Sequence, residues 1–152
     1  MVSMKGKRVG KPGIVFTISF WVVVLDQLTK FLAYSNISQS IPIIGGIFHL
    51  TLVKNTGAGF GILQGQQWLL VFISIFVVGL ILFYYDKIPK KGLAKAWVAM
   101  LLGGTIGNLI DRIRLGFVID FLDFRIWPAF NIADSAITIG AIGLIFYLMR
   151  EK

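Results

Sequence analysis

The chain has no cysteine, one histidine and only seven acidic residues among 152. The lack of cysteine excludes disulfides, thiol nucleophiles, thiolate zinc sites and iron–sulfur clusters. The single histidine, His49, is too little for an imidazole metal site, and no serine stands in a nucleophile-elbow context beside it. His49 reads as a surface or packing residue. A metal held by carboxylates alone would have to share its layer with Lys30 and Arg112, so neither a metal nor a cofactor is expected. Charge is scarce altogether: Asp, Glu, Lys and Arg make up 14% of the chain, against about 25% in a soluble domain. What fills the space is apolar. Residues of that kind reach 57% and fall in long runs, the composition of an integral membrane protein.

The net charge of +8 does not read as nucleic-acid binding, because no basic groove with interleaved aromatics is visible. The cations are clustered instead. Lys5, Lys7, Arg8 and Lys11 precede the first apolar run; Lys87, Lys90, Lys91 and Lys95 separate the second from the third; Arg150 and Lys152 close the chain. Such clusters mark cytoplasmic flanks. At about 1.5 Å per residue, about 20 residues cross a hydrocarbon core of about 30 Å. Four transmembrane helices are expected, at about 14–34, 68–85, 93–111 and 131–149. The fold class is therefore a mainly α membrane protein. Residues 1–152 form a single integral membrane domain, multi-pass, with both termini cytoplasmic. No stretch between spans exceeds about 35 residues, too few to bury a core alone. Basic residues followed by an apolar run also suit a secretory signal with a small-residue site near Ala33 and Ser35, but Asp26, Gln27 and Lys30 intervene.

Two outer segments result from this orientation, at about 35–67 and 112–130. In the first, Phe48, Leu50 and Leu52 alternate with their neighbours and predict a strand. Gly57, Gly59 and Gly61, with Phe60 among them, predict a turn or close backbone approach. A small extracytoplasmic β-rich sheet lying on the membrane is expected. Gly103 to Gly107 and Ala136 to Gly140 are small-residue spacings suited to close helix packing.

The unusual polar residues converge on one level. Asp26 and Lys30 lie near the outer end of the first span. Asn108, Asp111 and Arg112 lie at the outer end of the third, and Asn131 and Asp134 open the fourth; Asn55 and Asp120 are in the outer segments. Ionisable groups beside lipid are expensive and mark function. The i,i+4 pair Asp26–Lys30 suits a structural ion pair and a binding role equally. Asp111, beside Arg112, is expected to stay ionised and to act as a brace. Asp120 and Asp134 remain for chemistry: two facing carboxylates that share a proton activate a water and protonate the group it attacks. They titrate as a pair, so neither is singled out as base or acid. Asn55, Asn108 and Asn131 are placed to orient them.

Five segments in order resemble the lipoprotein signal peptidase (signal peptidase II) family: Asp26-Gln27-Leu28-Thr29-Lys30, Asn55-Thr56-Gly57-Ala58, Gly107-Asn108-Leu109-Ile110-Asp111-Arg112, Val118-Ile119-Asp120-Phe121 and Phe130-Asn131-Ile132-Ala133-Asp134. The resemblance implies an aspartic endopeptidase of the bacterial cytoplasmic (inner) membrane, with its active site at the outer leaflet. It would cleave prolipoproteins on the N-terminal side of a diacylglyceryl-modified cysteine. It implies Asp120 and Asp134 as catalytic dyad. Asp26, Lys30, Asn55, Gly57, Asn108, Arg112 and Asn131 would be supporting or substrate-binding positions, and Asp111 a structural carboxylate. It also implies a β-rich cradle around Asn55, a lid loop over 112–130, membrane lipids as partners and cyclic-peptide inhibitors such as globomycin as ligands. The rival from residues alone is a small proton-coupled transporter or relay protein. A conduit needs polar groups through the membrane's depth, and the second span has none but a serine.

Overall fold

The computed structural model describes residues 13–59, 62–88 and 92–150. Lys5, Lys7, Arg8, Lys11, Phe60, Gly61, Lys90, Lys91 and Lys152 lie outside the described residues. In chain order the elements are α1 (Gly13–Asn36), β1 (Ile41–Ile44), β2 (Phe48–Asn55), α2 (Gln67–Phe83), α3 (Gly92–Leu115), β3 (Val118–Asp123) and α4 (Ile132–Arg150). Three of the helices, α1, α3 and α4, are long and apolar enough to cross a membrane. The fourth, α2, is a shorter apolar helix of 17 residues. It nevertheless runs the length of the bundle. Gln67 at its start donates to the Arg112 carbonyl at the end of α3, 2.6 Å away, and Tyr85 just beyond it stacks on Phe16 near the start of α1.

Burial is reversed relative to a soluble protein. Phe20, Trp21, Phe72, Phe76 and Phe146 face outward, whereas Asp26, Lys30, Asn108, Asp111, Asp120 and Asn131 are each no more than 5% exposed. An apolar exterior of this kind is stable against lipid, and the polar interior must then satisfy itself. The helix α3 is the hub and packs on the other three. Its small residues make this possible. A Cβ at Gly103 would lie 2.8 Å from the Ser19 carbonyl of α1; one at Gly104 would collide with the Ala133 carbonyl of α4. A Cβ at Gly140 of α4 would lie 2.6 Å from the Trp97 carbonyl and 2.9 Å from the Leu101 nitrogen of α3. Both small-residue spacings are therefore helix contacts.

The three strands form one antiparallel sheet in the order β1–β2–β3. Its apolar side joins Leu50 and Leu52 to Ala33 and Ile37 at the end of α1, and to Phe121. The segment 112–130 contributes more regular structure than a lid loop. Gly116, at φ +88°, ends α3 by taking the left-handed conformation that a Cβ disfavours, and its N–H bonds the Arg112 carbonyl. After the bend at 116–117 the chain forms β3, and the remaining irregular backbone is at 124–129. The central residues of β3 are buried on both faces, so it carries no alternation by which its sequence would announce a strand.

A bulge in β2 sets which residue faces Asp120. Leu50 pairs with Leu122, but Val53 pairs with Asp120 and Asn55 with Val118. One extra residue on β2 between these pairs switches the facing side chains. Strict alternation from Leu50 would put Lys54 on the face of Asp120; the bulge puts Asn55 there.

Candidate active site

Five elements meet at one level: the C-terminal halves of α1 and α3, the end of β2, the strand β3 and the first turn of α4. Asp120 and Asp134 line the same cavity of about 750 Å³, together with Asn55, Asn108 and Arg112. The N-terminus of α4 is built by reciprocal capping. The Asn131 Oδ1 accepts the Asp134 N–H at 2.8 Å, and Asp134 Oδ2 accepts the Asn131 N–H at 3.3 Å. This is the geometry of a capping box with Asn and Asp in the two roles. The next free N–H of α4, that of Ala133, bonds Asp26 Oδ1 at 2.9 Å.

Each carboxylate oxygen of the pair receives one protein donor. For Asp120, Asn131 Nδ2 donates to Oδ1 at 2.7 Å and Asn55 Nδ2 to Oδ2 at 2.9 Å. For Asp134, Asn108 Nδ2 donates to Oδ1 at 2.7 Å and the Asn131 N–H to Oδ2. Asn131 thus touches both. The amides are themselves oriented, which decides which end of each faces a carboxylate. Asn55 Oδ1 accepts the Gly57 N–H at 2.9 Å, and Asn108 Oδ1 accepts from the Lys30 ammonium at 2.9 Å. Gly57 has no room for a Cβ, which would lie 2.8 Å from the Ile62 carbonyl. Burial first, and the charge of Asp134 second, push the Asp120 carboxyl up to about 7, against the bonds from Asn55 and Asn131 that favour its ion.

Behind this pair lies a buried ion cluster. The Lys30 ammonium is 2.8 Å from Asp26 Oδ2 and 3.0 Å from Asp111 Oδ2. Sequence adjacency suggests Arg112 as the partner of Asp111, but neighbours on a helix point about 100° apart. Arg112 donates to the Gly57 carbonyl at 3.1 Å and faces the cavity, while Asp111 faces Lys30 and accepts the Ile119 N–H of β3 at 3.1 Å. Asp111 therefore ties α3 to the strand that carries Asp120. Asp111→Asn is expected to lower the melting temperature first, at a cost of about 1–3 kcal/mol. An unchanged melting temperature with activity lost would reject the bracing role.

Two participants escape sequence reasoning. Gln27 donates to Asp111 Oδ1 at 2.9 Å, to Asp26 Oδ2 at 3.2 Å and to the Gly107 carbonyl at 3.2 Å. Gln67 holds the end of α3 through the Arg112 carbonyl. Gln27 sits in the polar tail of the first span, within the Asp26–Lys30 segment, and that placement is its signal. His49 bonds Ser40 at 3.0 Å, on the outer part of the sheet, and neither lines the cavity. Among the described residues no three His, Cys, Asp or Glu side chains converge as metal ligands.

A sequence profile of the family described as Signal peptidase (SPase) II matches residues 18–150. The chain belongs to the signal peptidase II family. It is accordingly a peptidase. It is 47% identical over 141 residues to the lipoprotein signal peptidase of Halothermothrix orenii, covering 91% of this chain and 97% of that one. With the lipoprotein signal peptidase of Caldanaerobacter subterraneus subsp. tengcongensis it shares 49% over 143 residues, covering 91% and 97%. Two solved structures of bacterial membrane enzymes share the fold. One has a TM-score of 0.85 at 33% identity, covering 91% of this chain and 89% of that one. The other has a TM-score of 0.83 at 32% identity, covering 92% and 95%. The fold shared with these two bacterial membrane enzymes thus covers about nine-tenths of this chain.

Proposed function

We propose that the chain removes signal peptides from lipid-modified prolipoproteins, with Asp120 and Asp134 sharing one proton across a bound water. The observation that carries this reading is the pair of carboxylates in one cavity, Asp120 buried and Asp134 half-buried, each held by oriented asparagine amides. With one proton between them, the ionised carboxylate takes a proton from water as its oxygen attacks the scissile carbonyl carbon. The protonated one gives its proton to the carbonyl oxygen. Collapse of the tetrahedral intermediate returns that proton to the dyad, the leaving nitrogen takes one, and the C–N bond breaks. Arg112, whose guanidinium bonds the Gly57 carbonyl, holds the Asn55–Gly57 turn against the cavity and leaves positive charge for a substrate carbonyl.

In this reading the protein sits in the bacterial cytoplasmic membrane with both termini inside, and the dyad lies at the outer leaflet. The helix α2 serves as a fourth span, because the chain must return from the site end of the bundle to the start of α3. Cyclic peptides of the globomycin type would compete for the same cavity, and membrane lipids would surround the outward apolar faces.

The deciding experiment incubates the purified protein in detergent with a prolipoprotein, with and without its diacylglyceryl group, and follows signal-peptide release. Release from the lipidated form alone is expected. Equal cleavage of both forms would contradict the assigned substrate. The pH dependence has a definite sign. A carboxyl whose pKa lies at about 7 keeps its proton below that pH and loses it above. Thus kcat/KM is expected to fall about tenfold per pH unit on the alkaline side. The same raised pKa means that the folded chain binds more protons than the unfolded one, so this group's contribution to stability is lost as pH rises through about 7. A rate still rising at about pH 9 would contradict the shared proton.

A further inference from the structure

Two cavities meet on α4. The wall of the dyad cavity runs down this helix through Ser135, Ile137 and Thr138 to Ile139. A second cavity, of about 620 Å³, starts at the same Ile139 and continues past Ile142 and Phe146 to Arg150, with Leu93 and Trp97 of α3 opposite. Gly143 forms its floor, where a Cβ would collide with the Trp97 ring. Ile139, Ile142 and Phe146 are all exposed. Together the two cavities make one continuous track along α4, which at 19 residues is about 28 Å long.

The geometry points to this track as the seat of the substrate's apolar membrane segment, packed as a helix along α4 from the dyad toward Arg150. The inference rests on the reading that the dyad cleaves a membrane-inserted signal peptide. Continuity favours it, since the end of the track at Ile139 is an apolar exit from the cavity that holds the scissile bond. Its length is close to that of a helix crossing a core of about 30 Å. Its lining matters too. Leu93, Ile139, Ile142 and Phe146 offer no partners to a run of backbone groups, so an occupant passing them must satisfy its own hydrogen bonds, as a helix does. Among the described residues lining the second cavity, Arg150 is the sole charge. It would repel the basic flank that precedes a signal segment, and would attract the headgroup of an anionic phospholipid. The two occupants therefore respond to Arg150 with opposite sign.

The test compares kcat/KM for a full prolipoprotein with that for a short lipopeptide carrying the lipidated cysteine and only a few residues before it. Ile142→Trp and Phe146→Trp narrow the track, and each is expected to lower the ratio by about tenfold, chiefly through KM of the longer substrate. Phe76→Trp, on the outward face of α2, is expected to leave it unchanged. Arg150→Glu is expected to lower KM for a lysine-rich prolipoprotein about two- to threefold at low salt. Independently of these variants, a photoreactive group in the apolar segment of the substrate should cross-link to a Leu93→Cys protein and not to Phe76→Cys. An unchanged ratio in both tryptophan variants overturns the track. So does a raised KM in Arg150→Glu together with loss of co-purifying anionic phospholipid, which makes the groove a lipid site. If the unaltered protein cleaves neither substrate, the dyad reading falls as well; if it cleaves both and the ratio does not move, the track alone falls.

Discussion

Asp120→Asn and Asp134→Asn are each expected to reduce prolipoprotein cleavage by at least about 10³-fold, while the protein stays folded and membrane-inserted. Asparagine keeps the shape of the side chain and removes the titrating oxygen. The substituted side chain can no longer exchange a proton with water, and the single remaining carboxylate cannot serve as both base and acid. The cost to folding is smaller, because each site keeps part of its hydrogen bonding. Asp120 lies on a strand held by its neighbours in β2. Asp134 keeps its own N–H bond to Asn131 Oδ1. The measurement is cleavage rate beside melting temperature in the same detergent. Retained activity in either variant would remove that carboxylate from the chemistry. Loss of folding in both, with activity lost in proportion, would turn the pair into internal glue.

Lys30→Met is expected to be the most destabilising single change, at about 3–5 kcal/mol. The ammonium is buried between Asp26 and Asp111, and its removal strands two carboxylates that cannot reach water. Coulomb attraction does not set this number alone. An uncompensated buried charge costs more than the pair was worth. Two further consequences distinguish the variant from an ordinary core defect. Asn108 loses the cation that aims its oxygen away from Asp134 and keeps only the 3.2 Å bond from Asn131 Nδ2 on that oxygen, so the amide is held less firmly as a donor to Asp134. Adding Asp26→Asn and Asp111→Asn to Lys30→Met should recover part of the melting temperature, since it removes the stranded charges. It should recover little activity. A Lys30→Met protein that melts with the unaltered one would show that the cluster is not closed to solvent.

Much of the site is legible in the sequence because membrane proteins make polar residues conspicuous. Asp26, Lys30, Asn108, Asp111, Asn131 and Asp134 stand out against apolar runs, and helical spacing brings them to one level. The partners are less legible. Adjacency points Asp111 at Arg112, yet it faces Lys30, since choosing between two cations depends on how α1 is rotated against α3. That rotation is set by the contacts of Gly103 with α1, of Gly107 with Asp26 of α1 and Ala133 of α4, and of Gly104 with α4. β3 reads as part of a loop for an equally physical reason: it is buried on both faces, so its sequence has no polar side to alternate with.

The sequence by itself determined the class of solvent, the number of apolar runs and the level at which polar residues gather, and it singled out the two acids proposed for the chemistry. Each depends on composition and on periodicities of one helix or strand at a time. Only the tertiary structure decided which donor meets which acid. The bulge in β2 turns Asn55 rather than Lys54 toward Asp120, the Lys30 cluster aims Asn108 at Asp134, and Asn131 joins the two carboxylates across β3 and α4. Those choices depend on register and rotation between elements distant in the chain. No local pattern carries that information, because the energy that fixes it is released only when the elements pack.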